Sequence, residues 1–129
     1  MSDRKESFVI QQALELAAEH YSSGRTTEAR INYQSVLQMD PNEPTALHQL
    51  GLIAHRDGRN AIAAELIAKA TVVRPDRADA HYDLGVVYQG LHRFDDATTC
   101  YKKSLSISPD NALAHNNLGT VLRQLGNME

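Results

Sequence analysis

Residues 75–119 read PDRADAHYDLGVVYQGLHRFDDATTCYKKSLSISPDNALAHNNLG, one full period of an internal repeat followed by the start of the next. Prolines stand at Pro41, Pro75 and Pro109, and Leu-Gly pairs at Leu50-Gly51, Leu84-Gly85 and Leu118-Gly119, each set spaced by 34 residues. Ala29, Ala63 and Ala97 keep the same step, as do Ala46, Ala80 and Ala114, and Asn42, Asp76 and Asp110. A shared period in unrelated markers means one structural unit used several times, and that fixes the architecture before any residue is considered singly.

Within each unit the apolar residues recur three and four apart. Tyr82, Leu84, Gly85, Val87 and Tyr88 form the stripe of an amphipathic helix, and strand alternation fits poorly. Helices are predicted over about 44–57 and 60–73, then 78–91 and 94–107, so each unit is a helical hairpin. Proline ends the second helix by disfavouring helical backbone in the preceding residue, namely Asp40, Arg74 or Ser108. The following Asn42, Asp76 or Asp110 is expected to cap the next helix. Gly24 and Gly58 fall between the two helices of their units, where a positive φ closes a helix. Gly51, Gly85 and Gly119 lie mid-helix at about 1 kcal/mol each relative to Ala, a cost that close helix packing must offset. Ala29, Ala63 and Ala97 are the expected facing positions.

These residues resemble the tetratricopeptide repeat family. Its signature is met in the third unit by Leu84, Gly85, Tyr88, Ala97, Tyr101 and Pro109, with His81 in place of the leading Trp. The second unit keeps Leu50, Gly51, Ala63, Ala70 and Pro75 but has Leu47, Ala54 and Ile67 at the aromatic positions. The first is looser, with Leu16, Ala17, His20, Ala29, Tyr33 and Pro41. The resemblance implies an all-α fold, a right-handed superhelical solenoid of antiparallel helix pairs with about three and a half repeats. It makes one domain over 1–129, with units at about 10–43, 44–77 and 78–111 and a partial unit at 112–129. That last unit has Leu118, Val121, Leu122 and Leu125 on a first helix and a turn starting at Gly126-Asn127, with no second helix to cover them. Two readings stay open: a fragment of a longer array, or a helix that serves as a cap or a self-association surface.

Composition narrows the function. The 129 residues are 42% hydrophobic, enough for one continuous core, and 13 Lys+Arg against 16 Asp+Glu leave a net charge of -3, which argues against nucleic acid. The single Cys100 rules out an internal disulfide and a multi-thiolate zinc site, and fits a reducing, cytoplasmic setting. Gln11, Gln12 and Glu15 interrupt the first apolar stretch, so neither a signal-peptide core nor a membrane span is expected.

No phosphate-binding loop, dinucleotide fingerprint or nucleophile elbow is present, so neither enzymatic activity nor a cofactor is expected. His81 and His115 share one repeat position and His20 stands where the family places Tyr; packing roles are expected for all three, while His92 lies in a turn. His48 and His55 are seven residues apart on one helical face, without the spacing of a zinc site, and are expected to be solvated groove residues. Cys100 reads as a packed helix residue, and Asp95-Asp96 with Lys102-Lys103 as a solvated face with complementary charge seven residues apart.

The family's groove positions fall on His48, Gln49, Leu52, His55 and Arg56 in the second unit and on Asp79, Tyr82, Asp83, Val86 and Gln89 in the third. In the last unit they fall on Asn116, Asn117, Thr120 and Arg123. What the resemblance implies is binding of an extended peptide or protein segment, or of another copy of the chain, through this lining. Members that clamp a chaperone's C-terminal carboxylate use Lys, Asn and Arg. Here Leu14, Ala18, Gln49, Asp79 and Asp83 stand at those places, and the two acids would repel a carboxylate. The wording of residues 46–55 is also similar to bacterial arrays ahead of glycosyltransferase domains, which makes a substrate-docking region of a larger enzyme the alternative.

Overall fold

The fold is a row of helices in a computed structural model that describes residues 2–128. The helices are α1 (Ser2–Ser22), α2 (Thr26–Met39), α3 (Pro44–Arg56), α4 (Asn60–Val73), α5 (Ala78–Gly90), α6 (Phe94–Ile107) and α7 (Ala112–Asn127). Consecutive pairs α1/α2, α3/α4 and α5/α6 pack most extensively, and α2/α3, α4/α5 and α6/α7 stack each hairpin on the next. The result is the all-α solenoid of antiparallel helix pairs. The sequence boundaries differ at the ends: α1 begins at Ser2 rather than near residue 10, and α7 runs on through Gly126 to Asn127 without the expected turn.

The punctuation follows from backbone chemistry. Asp40, Arg74 and Ser108, each before a proline, leave the helical region at φ -140, -131 and -130, and α2, α4 and α6 end there. Gly24 and Gly58 take φ +81 and +79, and His92 occupies the same repeat position at φ 60. The capping expectation is corrected by one residue. Glu43 accepts from Ala46 N at 2.7 Å and Asn111 from Ala114 N at 3.2 Å, whereas Asn42, Asp76 and Asp110 lie outside the helix. The reason is reach: the capping oxygen must face the third amide beyond its own residue, which the residue directly after proline does not. Arg77, the corresponding residue before α5, makes no side-chain cap.

The core consists of three clusters along the row. Ala17, Ala29, Tyr33, Val36, Ala46, Leu50 and Ile53 form the first; Ala63, Ile67, Leu84, Val87 and Cys100 belong to the second; Phe94, Ala97, Tyr101 and Val121 form the third. The mid-helix glycines allow the hairpins to close, but their partners lie one turn beyond the alanines predicted to face them. A Cβ on Gly51 would overlap the Ile67 side chain, and one on Gly85 would lie 2.7 Å from Tyr101 Cε1. Ala63 contributes only its carbonyl near Gly51, because its own side chain turns into the core. At Gly119 a Cβ would meet nothing but the end of Arg123 at 3.7 Å.

The last helix is better covered than its sequence implied. Val121 is fully buried, and Leu118 and Leu125 are half-buried, because α7 lies against the third cluster. Leu122, on the face turned away from α6, remains 47% exposed. At the other end the repeat positions of Ala46 and Ile53 hold Gln12 and Glu19, both exposed, although Phe8, Val9 and Leu16 of α1 are exposed as well.

Candidate functional site

The first helices α3, α5 and α7 carry the predicted groove residues, and the repeat brings them together in steps of one unit. His48 Nε2 lies 2.7 Å from Asp83 Oδ2, Asn117 Nδ2 donates to the Tyr82 hydroxyl at 3.1 Å, and Gln89 Nε2 reaches Gln124 Oε1 at 3.4 Å. Each of these bonds spans 35 residues, one repeat plus one position, because successive first helices lie side by side with a small stagger. The Tyr101 hydroxyl, from the second helix beneath, donates to Gln89 Oε1 at 2.8 Å. These bonds form a cross-linked polar layer, the floor of the predicted groove.

This placement corrects the reading of His48. It is buried, at 7% exposure, and joined to a carboxylate rather than solvated, because Asp83 of the next unit covers it. His55 is half-buried, with Nδ1 2.8 Å from Asn60 Oδ1, and so ties the end of α3 to the start of α4. Asp79 is exposed and receives Arg77 Nη2 at 3.3 Å and its neighbour's Ala80 N–H at 2.9 Å. Burial of part of its carboxyl works against the charge. The Arg77 hydrogen bond and charge, the His48 imidazole and the Ala80 amide outweigh it and hold the pKa below the usual carboxylate value. Neither acid is therefore bare: Asp79 faces Arg77 and Asp83 faces His48.

The remaining predicted residues frame this floor. Gln49, Leu52 and Val86 are half-buried, while Arg56 and Asn116 are exposed. Thr120 donates to the Asn116 carbonyl at 3.1 Å and receives Arg123 Nη2 at 3.2 Å, which holds that guanidinium along α7. A niche of about 30 Å³, room for one water, lies between His48, Gln49, Arg74 and Arg77.

Of the histidines expected to pack, His81 is buried, His20 half-buried and His115 exposed. His81 Nε2 donates to the Pro75 carbonyl at 2.8 Å, and His115 Nε2 makes the same bond to Pro109 at 2.7 Å, one repeat later. Sequence reading recognised the shared position but not the bond, whose only trace was a fixed six-residue interval between proline and histidine. Arg25 Nε donates to His20 Nδ1 at 2.9 Å. Cys100 is buried, and burial, with the nearby Asp96 charge, pushes its thiol up to about 11, the opposite of an activated nucleophile. Asp96 pairs with Arg93 at 2.8 Å rather than with the lysines seven residues on, because Arg93 stands one turn before it. Among the described residues no three His, Cys, Asp or Glu side chains gather as a metal site, and no helix is long and apolar enough to cross a membrane.

Solved structures share this fold. An O-GlcNAc transferase of Thermobaculum terrenum superposes with a TM-score of 0.83 at 31% identity, over 91% of this chain and 22% of that one. The present chain thus spans less than a quarter of that transferase. The first repeat domain of Spaghetti (RPAP3), bound to an HSP90 peptide, superposes with a TM-score of 0.85 at 20% identity, over 91% of this chain and 93% of that one. MamA gives a TM-score of 0.84 at 24% identity, over 91% of this chain and 68% of that one. These two likenesses concern the fold alone. No curated protein matches the chain in sequence at a significant level. Family patterns described as tetratricopeptide repeat match residues 14–70 and 49–89, 78–111, and 100–129. With the 34-residue period, the helical hairpins and these matches in agreement, the chain belongs to the tetratricopeptide repeat family.

Proposed function

We propose that the chain is a non-catalytic interaction module that holds an extended peptide or protein segment along the face of α3, α5 and α7. The cross-linked floor supports this reading best. The bonds His48–Asp83 and Asn117–Tyr82 fix the first helices relative to one another before any ligand arrives, so little ordering cost remains at binding. Around that floor, Gln49, Arg56 and Asn116 offer amide and guanidinium groups for a peptide backbone and for acidic side chains. Nucleic acid and membrane are not the partners we infer, and we place the chain in the cytoplasm as a single domain of residues 1–129. Arg56→Glu combined with Arg123→Glu tests the site. Acidic peptides selected on the wild-type chain should bind the double variant at least about 10-fold more weakly, with helical content unchanged. Equal affinity for both would refute the placement.

A second reading, a substrate-docking region of a larger glycosyltransferase, is favoured by the 31% identity to the Thermobaculum terrenum enzyme. The reading frame beyond residue 129 decides it: no catalytic domain there removes this reading. Self-association through α7 is supported by the open space at Gly119 and the exposure of Leu122. Leu122→Glu should then lower a light-scattering mass that exceeds the monomer.

A further inference from the structure

A cleft of about 270 Å³ opens between α2 and α4, with Leu50, Ile53 and Ala54 of α3 as its floor. Ile62 and Leu66 wall it from α4, and Arg30, Gln34, Asp57 and Arg59 complete the lining. The repeat itself explains why the space exists. One unit later, the position of Ala54 is held by Tyr88, and Arg93 lies over that ring with its guanidinium carbon 4.6 Å from the centroid. One unit earlier the same positions hold His20 and Arg25, joined at 2.9 Å. In all three units the arginine is present, but in the second its ring is missing. Arg30 pairs with Asp57 at 3.2 Å, whereas Arg59 is exposed with neither ring nor carboxylate beside it among the described residues.

From this vacancy we propose that the cleft receives an aromatic side chain, tyrosine or phenylalanine, carried by a partner protein segment, with Arg59 stacked on the ring. The cleft is large enough, since an apolar cavity of ~150 Å³ already accepts benzene. Its walls are also more apolar than those around Tyr88, because Ile62 and Leu66 replace Asp96 and Cys100 at the matching repeat positions. Charge complementarity comes from a guanidinium against the electron-rich face of the ring, the relation that Arg93 and Tyr88 already display. The site opens between the second helices α2 and α4, and none of its lining residues is among the predicted groove residues.

The test is a titration of the full chain with p-cresol, the tyrosine side chain itself, and with N-acetyltyrosinamide, followed by NMR. Both should shift the amide signals of Ala54, Arg59, Ile62 and Leu66 saturably. Ala54→Tyr, which supplies the missing ring from within, should abolish these shifts. Should that variant not fold, Ile62→Lys, at a 47% exposed position, obstructs the mouth instead and should abolish them too. 4-Methylcyclohexanol, of similar size without a π face, should bind about 2- to 5-fold more weakly, the equivalent of ~0.5–1 kcal/mol for an exposed cation over a ring. The proposal is overturned by any of four outcomes: no saturable shift in the wild type, shifts that persist in the blocked variants, binding of p-cresol but not of N-acetyltyrosinamide, or equal binding of the saturated alcohol. It is also overturned, in favour of a second copy of the chain, if the same amide signals shift when the concentration of the chain alone is raised.

Discussion

Asn117 donates through Nδ2 to the hydroxyl of Tyr82, 35 residues earlier and 3.1 Å away, and thereby joins α7 to α5 across the groove. The same amide lies 3.5 Å from the Tyr101 hydroxyl, which in turn donates to Gln89. Asn117→Ala removes one link and leaves the Tyr82 hydroxyl, half-buried, to find water. The expected loss is about 1 kcal/mol in urea denaturation. A much larger loss would mean that the floor acts as one cooperative network rather than as separate bonds.

Gly85 and Gly119 occupy the same repeat position in different surroundings, so the same substitution should have opposite effects. Gly85→Ala places a methyl 2.7 Å from the Tyr101 ring and should destabilise the chain by about 1–3 kcal/mol. Gly119→Ala meets only the flexible end of Arg123 at 3.7 Å and should gain up to ~1 kcal/mol of helix propensity. Thermal melts of the two variants check the pair, and equal losses would contradict the packing described.

Gly58→Ala separates conformation from contact. Nothing lies within 4 Å of the added methyl, yet φ is +79, so backbone strain alone should cost about 1–2 kcal/mol. His92 already bears a side chain at the equivalent turn with φ 60, so His92→Gly should recover part of that cost. Chemical denaturation of both variants gives the comparison.

Alkaline pH should weaken the chain through two neighbours on α6. Burial raises the Cys100 thiol, with Asp96 adding to it, to about 11 from 9.0. Burial raises the Tyr101 phenol to about 12 from 10.0 against the opposing Asn117 hydrogen bond, with Tyr82 and Cys100 adding to the rise. In both, the folded value lies above the unfolded one, so the unfolded chain loses its proton first. Stability is full below pH 9.0 and declines toward about 11 for Cys100, and between 10.0 and about 12 for Tyr101. Urea midpoints across this range should fall in the wild type and fall less steeply between pH 9 and 11 in Cys100→Ala.

Much of the architecture was legible because it rests on local rules repeated three times. The helix ends before Pro41, Pro75 and Pro109 need only the steric demand of the proline ring, and the positive φ at Gly24 and Gly58 needs only the absence of a Cβ. The caps were misplaced by one residue because Glu43 and Asn111, the second residues after their prolines, are the ones that face the third amide beyond them, at Ala46 and Ala114. The burial of His48 and the cover over Val121 were not legible, since each depends on residues of another helix far along the chain: Asp83 of α5 over the histidine, Phe94 and Tyr101 of α6 over the valine. At the predicted groove, the bonds of His48 with Asp83 and of Asn117 with Tyr82 arise from the stagger between neighbouring hairpins, a distance that no single unit encodes.

The imidazole bonds to Pro75 and Pro109 give two of the three steps between hairpins a joint of their own, since each ties a first helix to the loop that leads into it. In the second unit Leu47 stands at that place, fully packed but without a hydrogen bond to hold the angle. The array therefore resembles a spring with one softer coil, between α2 and α3. Bending under load would concentrate there, opening or closing the distance between the first hairpin and the rest while the later coils keep their pitch.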